Sequence, residues 1–220
     1  MKKDITIYKN LILILTVFSI LTFAGCEKLP LQKSYEYEGQ AIDPHIQMNT
    51  WQFMQSRPDV FSLMTEAVEY AGMKSFYEQS AAKYTYLLIN NAGMTSFITK
   101  YGFSSIKNID VEKVKKLLQY HIIEGEYHAY DKKLPTEPIF VKTLLAGEDG
   151  LLTIKVNKSS ANSVGSPITN GNILINLRPS NFVSASISSV TSNILPTNGA
   201  IHVFPGFAYY KRDANYIPAF

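Results

Sequence analysis

The sequence predicts an α+β fold in which helices come first and strands follow, and two observations carry that reading. Between residues 50 and 123 the apolar residues recur at helical spacing, broken by one short strand. From about Phe140 the period changes to short apolar runs separated by Gly- and Asn-rich turns. Segregated helices and strands indicate α+β and argue against a doubly wound parallel sheet. At 46% hydrophobic and 18% charged residues, the 220-residue chain can build a packed core. The length suits one domain, or one domain with an arm.

Taken in order, Thr50 is placed to cap a short helix through Trp51, Phe53 and Met54. Pro58-Asp59 opens a longer one. Val60, Leu63, Met64, Ala67, Val68 and Ala71 form its apolar stripe, and Gly72 stops it. Tyr84 to Ile89 reads as a strand. Asn90-Asn91 caps a short helix carrying Met94, Phe97 and Ile98, which Gly102 ends. Asp110 caps the next helix, expected over Val111 to Ile123. Val114, Leu117, Leu118, His121 and Ile122 share its inner face, and Gly125 closes it.

Strands are expected over Ile139–Leu145, Leu151–Val156, Ile173–Leu177, Val183–Val190 and Ala200–Phe204. Gly147-Glu148-Asp149-Gly150 and Asn170-Gly171-Asn172 supply hairpin turns, and Ser159 to Ser166 is a polar loop. The last strand holds one histidine, His202, inside an apolar run. A buried imidazole needs partners, because leaving it unpaired costs about 1–3 kcal/mol.

The first residues look like an address. Lys2 and Lys3 form a positive start, and Leu11 to Phe23 is an apolar run too short to span a bilayer comfortably. Ala24-Gly25-Cys26 then resembles the lipobox of bacterial lipoproteins, with Phe23 where leucine is usual. That resemblance implies cleavage before Cys26 and lipidation of its thiol. A plain secretory signal with an incidental cysteine is the competing reading. Cys26 is the only cysteine, so no intrachain disulfide can form. Several acyl chains on one residue hold a membrane stably, at about 0.8 kcal/mol per buried CH2. The expected organisation is a leader over 1–25, a tether over 26–47, a domain over 48–210 and a tail over 211–220. The expected location is a bacterial cell envelope, with the outer membrane favoured, on either its periplasmic or its surface face.

Four stretches then resemble a known family. They are Thr85-Tyr-Leu-Leu-Ile-Asn-Asn-Ala-Gly-Met94, Tyr120-His121, Thr143-Leu-Leu-Ala-Gly147 and Asn198-Gly-Ala-Ile-His-Val203. Together they are similar to a fasciclin domain, read from about Thr50 to Tyr210. Ile89 stands where the family has proline, and Gly93-Met94 where it has Ala-Phe. The resemblance implies a wedge-shaped β-sandwich with a layer of short helices. It also implies an adhesive, non-enzymatic role outside the cell. Tyr120, His121, Asn198, Gly199, Ile201 and His202 carry the signatures and are expected to be structural. His202 is expected to clasp the last strand to the helix that carries Tyr120-His121. In some animal members an Asp-Ile pair before the last signature is linked to integrin binding. Here the pair is Asn193-Ile194, so the aspartate is absent.

Other chemistry is poorly supported. The net charge of +3 includes leader lysines, and no basic block points to nucleic acid. His121, Glu124, His128 and His202 do not form H-E-x-x-H, so satisfied core histidines are expected in place of a metal site. No serine sits in G-x-S-x-G, no glycine-rich phosphate loop occurs, and no cofactor is expected. Tyrosines outside the helices and strands are the residues best suited to meet a ligand, being apolar on the face and polar at the tip. Tyr127, Tyr130, Tyr209 and Tyr210 are the candidates. The alternative is that they anchor the arms onto the domain. The expected partner is an extracellular protein, or a glycan if the chain serves a polysaccharide-uptake system.

Overall fold

The computed structural model describes residues 43–131, 133–157, 171–177 and 186–208, and the backbone of 211–212 and 218–219. The leader, most of the tether, Cys26, Tyr209 and Tyr210 lie outside these residues. Among the described residues no helix is long and apolar enough to cross a membrane.

The helical layer opens with α1, Thr50–Ser56. Its cap is Asn49 and not Thr50. Asn49 accepts from the Gln52 amide, and the Gln52 side chain accepts from the Asn49 amide, forming a capping box. Thr50 has a different task, described below. Pro58 then starts α2, Pro58–Tyr70, which buries Phe61, Met64, Ala67 and Val68. A short α3, Lys74–Glu78, was not legible in the sequence, since five residues are too few to show a period.

Strand β1, Tyr84–Ile89, has the expected bounds. Asn90 caps α4, Asn91–Lys100, through the Gly93 amide, and Asp110 caps α5, Val111–Tyr120, through the Glu112 amide. The expectation that this last helix runs to Ile123 is wrong. It ends at Tyr120 with His121 as its cap residue, and Ile122–Glu124 is strand β2. Two β-branched residues there complete a ladder with β1, pairing Thr85 with Ile123 and Tyr86 with Ile122.

The remaining strands are β3 (Ile139–Lys142), β4 (Leu151–Val156), β5 (Ile173–Ile175), β6 (Ile187–Ser188), β7 (Thr191–Ile194) and β8 (Gly199–Phe204). β3 and β4 form the expected hairpin around Glu148–Gly150. β5 stops two residues early because Asn176 takes a positive φ of 61°. Of the strand expected over Val183–Val190, residues 183–185 lie outside the described residues and only Ile187–Ser188 forms a strand, β6; β7 begins after it and joins the other sheet. The turn expected at 170–172 and the 159–166 loop fall wholly or partly outside the described residues.

Two four-stranded sheets result, ordered β2-β1-β8-β7 and β3-β4-β5-β6. β1 and β8 run parallel at the centre of the first, in register from Tyr84–Gly199 to Ile89–Phe204. Both read as continuous apolar runs because both faces of this sheet are covered. One face meets the helices, with Tyr86, Leu88, Ile201 and Val203 packed against Phe61, Met64 and Leu117. The other meets the second sheet, with Leu87 and Phe204 among Leu152, Ile154 and Ile175.

The segment assigned to the tether does not stop short of the domain. Ile46 donates to the Leu195 carbonyl at 2.9 Å, Leu195 to Pro44 at 2.9 Å and Thr197 to Met48 at 3.0 Å. In the segment read as a tail, Lys211–Arg212 (β9) pairs antiparallel with Pro218–Ala219 (β10).

Candidate functional site

The signature Asn198–Val203 lies at the start of β8 and meets three different layers. Asn198 is wholly buried and makes four hydrogen bonds. Its carbonyl accepts from the Thr50 amide and hydroxyl, both at 2.9 Å. Its amide donates to the Tyr77 carbonyl and the Tyr86 hydroxyl, also at 2.9 Å. One side chain thereby joins the first turn of α1, α3 and β1. Gly199 follows with φ 149°, and a Cβ there would lie 1.8 Å from the Tyr84 carbonyl oxygen. Only glycine lets the parallel strands meet this closely. Ile201 is fully buried opposite Tyr86.

Contrary to expectation, His202 meets the second sheet side and not the helix that carries Tyr120-His121. Strand alternation decides this: Ile201 and Val203 face the helices, so His202 faces the second sheet. There the Asn193 amide donates to its Nδ1 at 3.1 Å. Nδ1 must therefore be bare, so Nε2 carries the proton and donates to the Tyr127 carbonyl at 2.9 Å. Burial holds the imidazole neutral by lowering its pKa to about 4, and the adjacent His128 adds to the shift.

His121 is the mirror case. The Ala208 amide donates to its Nε2 at 3.1 Å, so Nδ1 carries the proton and donates to the Leu117 carbonyl at 2.8 Å. Burial lowers its pKa to about 4 as well. It clasps the end of α5 to the chain leaving β8. Both nitrogens of both rings are engaged, so neither ring offers a free lone pair for proton transfer or ligation. Among the described residues, no three His, Cys, Asp or Glu side chains come together as a metal site would need.

The tyrosines divide. Tyr120 is wholly buried. Tyr127 is half-buried against the second core cluster, and its amide donates to Thr85 Oγ1 at 2.8 Å. Tyr130 is 50% exposed with its ring 5.8 Å from that of His128, so it alone of the described candidates is an exposed residue.

Sequence reasoning missed Asn193, treated only as the place where an aspartate is lacking. It is buried with φ 63° in the irregular part of β7, and its Oδ1 accepts from the Ala129 amide at 2.8 Å. With His202 it locks 127–129 against the strand. A left-handed asparagine leaves no pattern in a sequence. Also unforeseen is an open cleft of about 430 Å³ lined by Glu124, Lys142, Thr143, Leu145, Gly147 and Leu151, where β2 meets the β3–β4 hairpin.

Comparison with known proteins agrees with this geometry. A scan against protein-family models matches residues 59–205 to the Fasciclin domain. The chain belongs to the fasciclin family. A search of the curated proteins returned no match. Among solved structures the fasciclin chain is similar to the FAS1 domain pair of the insect cell adhesion molecule Fasciclin I. The TM-score is 0.52 at 16% identity, covering 73% of this chain and 50% of that one. The chain thus spans half the length of that structure, and at this identity the likeness concerns the fold alone. The residues read as fasciclin signatures are the ones that tie the layers together.

Proposed function

We propose that this fasciclin chain is a lipid-anchored binding or adhesion module of a bacterial cell envelope, without catalytic chemistry. The family match over 59–205 supports the adhesive part, since the similar insect protein is described as a cell adhesion molecule. The two signature histidines support the non-enzymatic part, because each spends both nitrogens on backbone groups. The anchor rests on Ala24-Gly25-Cys26 after the apolar run.

Processing that stops with globomycin, and acyl labelling lost in Cys26→Ser, would support the anchor. A Cys26→Ser chain still processed and membrane-bound would sink it. Protease shaving of intact cells addresses adhesion, since a protected domain cannot reach an outside partner. The glycan reading draws on the exposed ring of Tyr130. A glycan array signal lost in Tyr130→Ala would favour it over a protein partner.

A further inference from the structure

We infer that the cleft between β2 and the β3–β4 hairpin is a binding site for a small zwitterion with an apolar body, the chemistry of a free apolar amino acid. This goes beyond adhesion and holds whether or not Cys26 carries lipid.

Three strands form the floor of the cleft. The antiparallel bridge between Ile123 and Thr143 sets Glu124 of β2 opposite Lys142 of β3. Lys142 is in turn opposite Leu151 of β4. Side chains directly across such a ladder share one face, so a carboxylate, an ammonium and an apolar side chain stand in a row. All three line the cleft, and Leu145 and Ala146 of the hairpin loop add an apolar wall. Glu124 and Lys142 are exposed, yet neither forms an ion pair or a side-chain hydrogen bond with any of the described residues.

The wall is fixed by the backbone. The Thr143 amide and hydroxyl both donate to the Gly150 carbonyl, at 2.9 and 2.8 Å, and the Leu145 amide donates to Thr143 Oγ1 at 3.3 Å. The Leu144 amide donates to the Ile122 carbonyl at 2.9 Å, which ties the loop to β2. Gly150 packs so closely that a Cβ there would lie 1.7 Å from the Leu145 carbonyl oxygen. A ligand therefore meets a preformed cleft and is spared the cost of ordering it.

The two charges choose the ligand. A lone anion drawn to Lys142 meets Glu124 beside it, and a lone cation drawn to Glu124 meets Lys142. A neutral apolar molecule would strip water from both charges and return no hydrogen bond to either. An ammonium and a carboxylate on one carbon satisfy both, and leave the ligand's side chain to Leu145, Ala146 and Leu151.

The test is an NMR titration of the isotope-labelled full chain carrying Cys26→Ser, with L-leucine as the probe. Leucine should shift the amides of 122–124 and 142–151 saturably. Isocaproate lacks the ammonium, isoamylamine lacks the carboxylate, and glycine lacks the apolar body. Each should bind about fivefold more weakly than leucine or worse, the scale of one exposed charge contact. Two variants at exposed positions assign the charges without threatening the fold. In Glu124→Gln leucine should bind no better than isocaproate, and in Lys142→Gln no better than isoamylamine. Leucine that leaves these amides unmoved, or that binds no better than isocaproate in the unsubstituted site, would overturn the proposal. So would shifts of the same amides with protein concentration alone, since Glu124 and Lys142 would then be pairing with a second copy of the chain.

Discussion

Acidification should unfold this domain through its two buried histidines. Each has a folded pKa of about 4 against an ordinary 6.5, set first by burial and opposed by its bond to a backbone carbonyl. Between those values the unfolded chain binds more protons than the folded one. Stability is therefore full above pH 6.5 and lost as pH falls toward 4. One histidine contributes a slope of about 1.4 kcal/mol per pH unit in that window, and two contribute about 2.7. From about pH 7.5 to about pH 5 the loss is about 4 kcal/mol, a large share of the roughly 5–15 kcal/mol typical of a domain. The tautomers make the cost concrete, since each added proton must go on a nitrogen that faces a backbone N–H. Asp43, Asp59 and Asp131 lie below their ordinary 3.8, held there chiefly by the His45 amide, the Arg57 side chain and the Lys133 amide respectively, so they titrate beneath this window. Urea unfolding followed by circular dichroism across this pH range reads the slope. His202→Gln should roughly halve it whatever the variant's own stability. A flat profile from neutral pH to about 4.5, or an unchanged slope in His202→Gln, would refute the assignment of both rings as buried and neutral.

Four further outcomes are expected from substitutions, read by urea unfolding except where stated. Asn198→Ala strips partners from Thr50, Tyr77 and Tyr86 together, and one orphaned buried group alone costs about 1–3 kcal/mol, so the loss should reach about 3 kcal/mol or more. Gly199→Ala places a methyl 1.8 Å from the Tyr84 carbonyl oxygen and should disrupt the β1–β8 pairing, giving little folded protein by near-ultraviolet dichroism. Asn49→Ala removes the cap of α1 and should cost about 1 kcal/mol, whereas Thr50→Ser, which keeps the hydroxyl, should cost less than Thr50→Ala.

The helical layer was legible because its signals are local. Pro58, Asn90 and Asp110 start helices by satisfying or dispensing with the first amides, and the Val60–Ala71 stripe needs only a period of about 3.6. Local reasoning failed where two periods fit one stretch. Tyr120 to Ile123 continues the apolar face of α5, yet the chain leaves the helix there because the edge of β1 offers partners for Ile122 and Ile123. It failed again within Val183–Val190, where among the described residues only Ile187–Ser188 pairs as a strand and the next strand, Thr191–Ile194, joins the other sheet.

By itself, the sequence determined the fold class, the family signature at Asn198–Val203, and that His121 and His202 would be buried and in need of partners. Only the tertiary structure decided who those partners are. Asn198 reaches Thr50 across 148 residues, and His202 reaches Tyr127 across 75, distances at which no periodicity or turn propensity carries information. The arm at 43–48 shows the same limit. Its composition reads as linker, and it becomes part of the domain because Leu195 and Thr197 present backbone groups that would otherwise stand unpaired at a sheet edge.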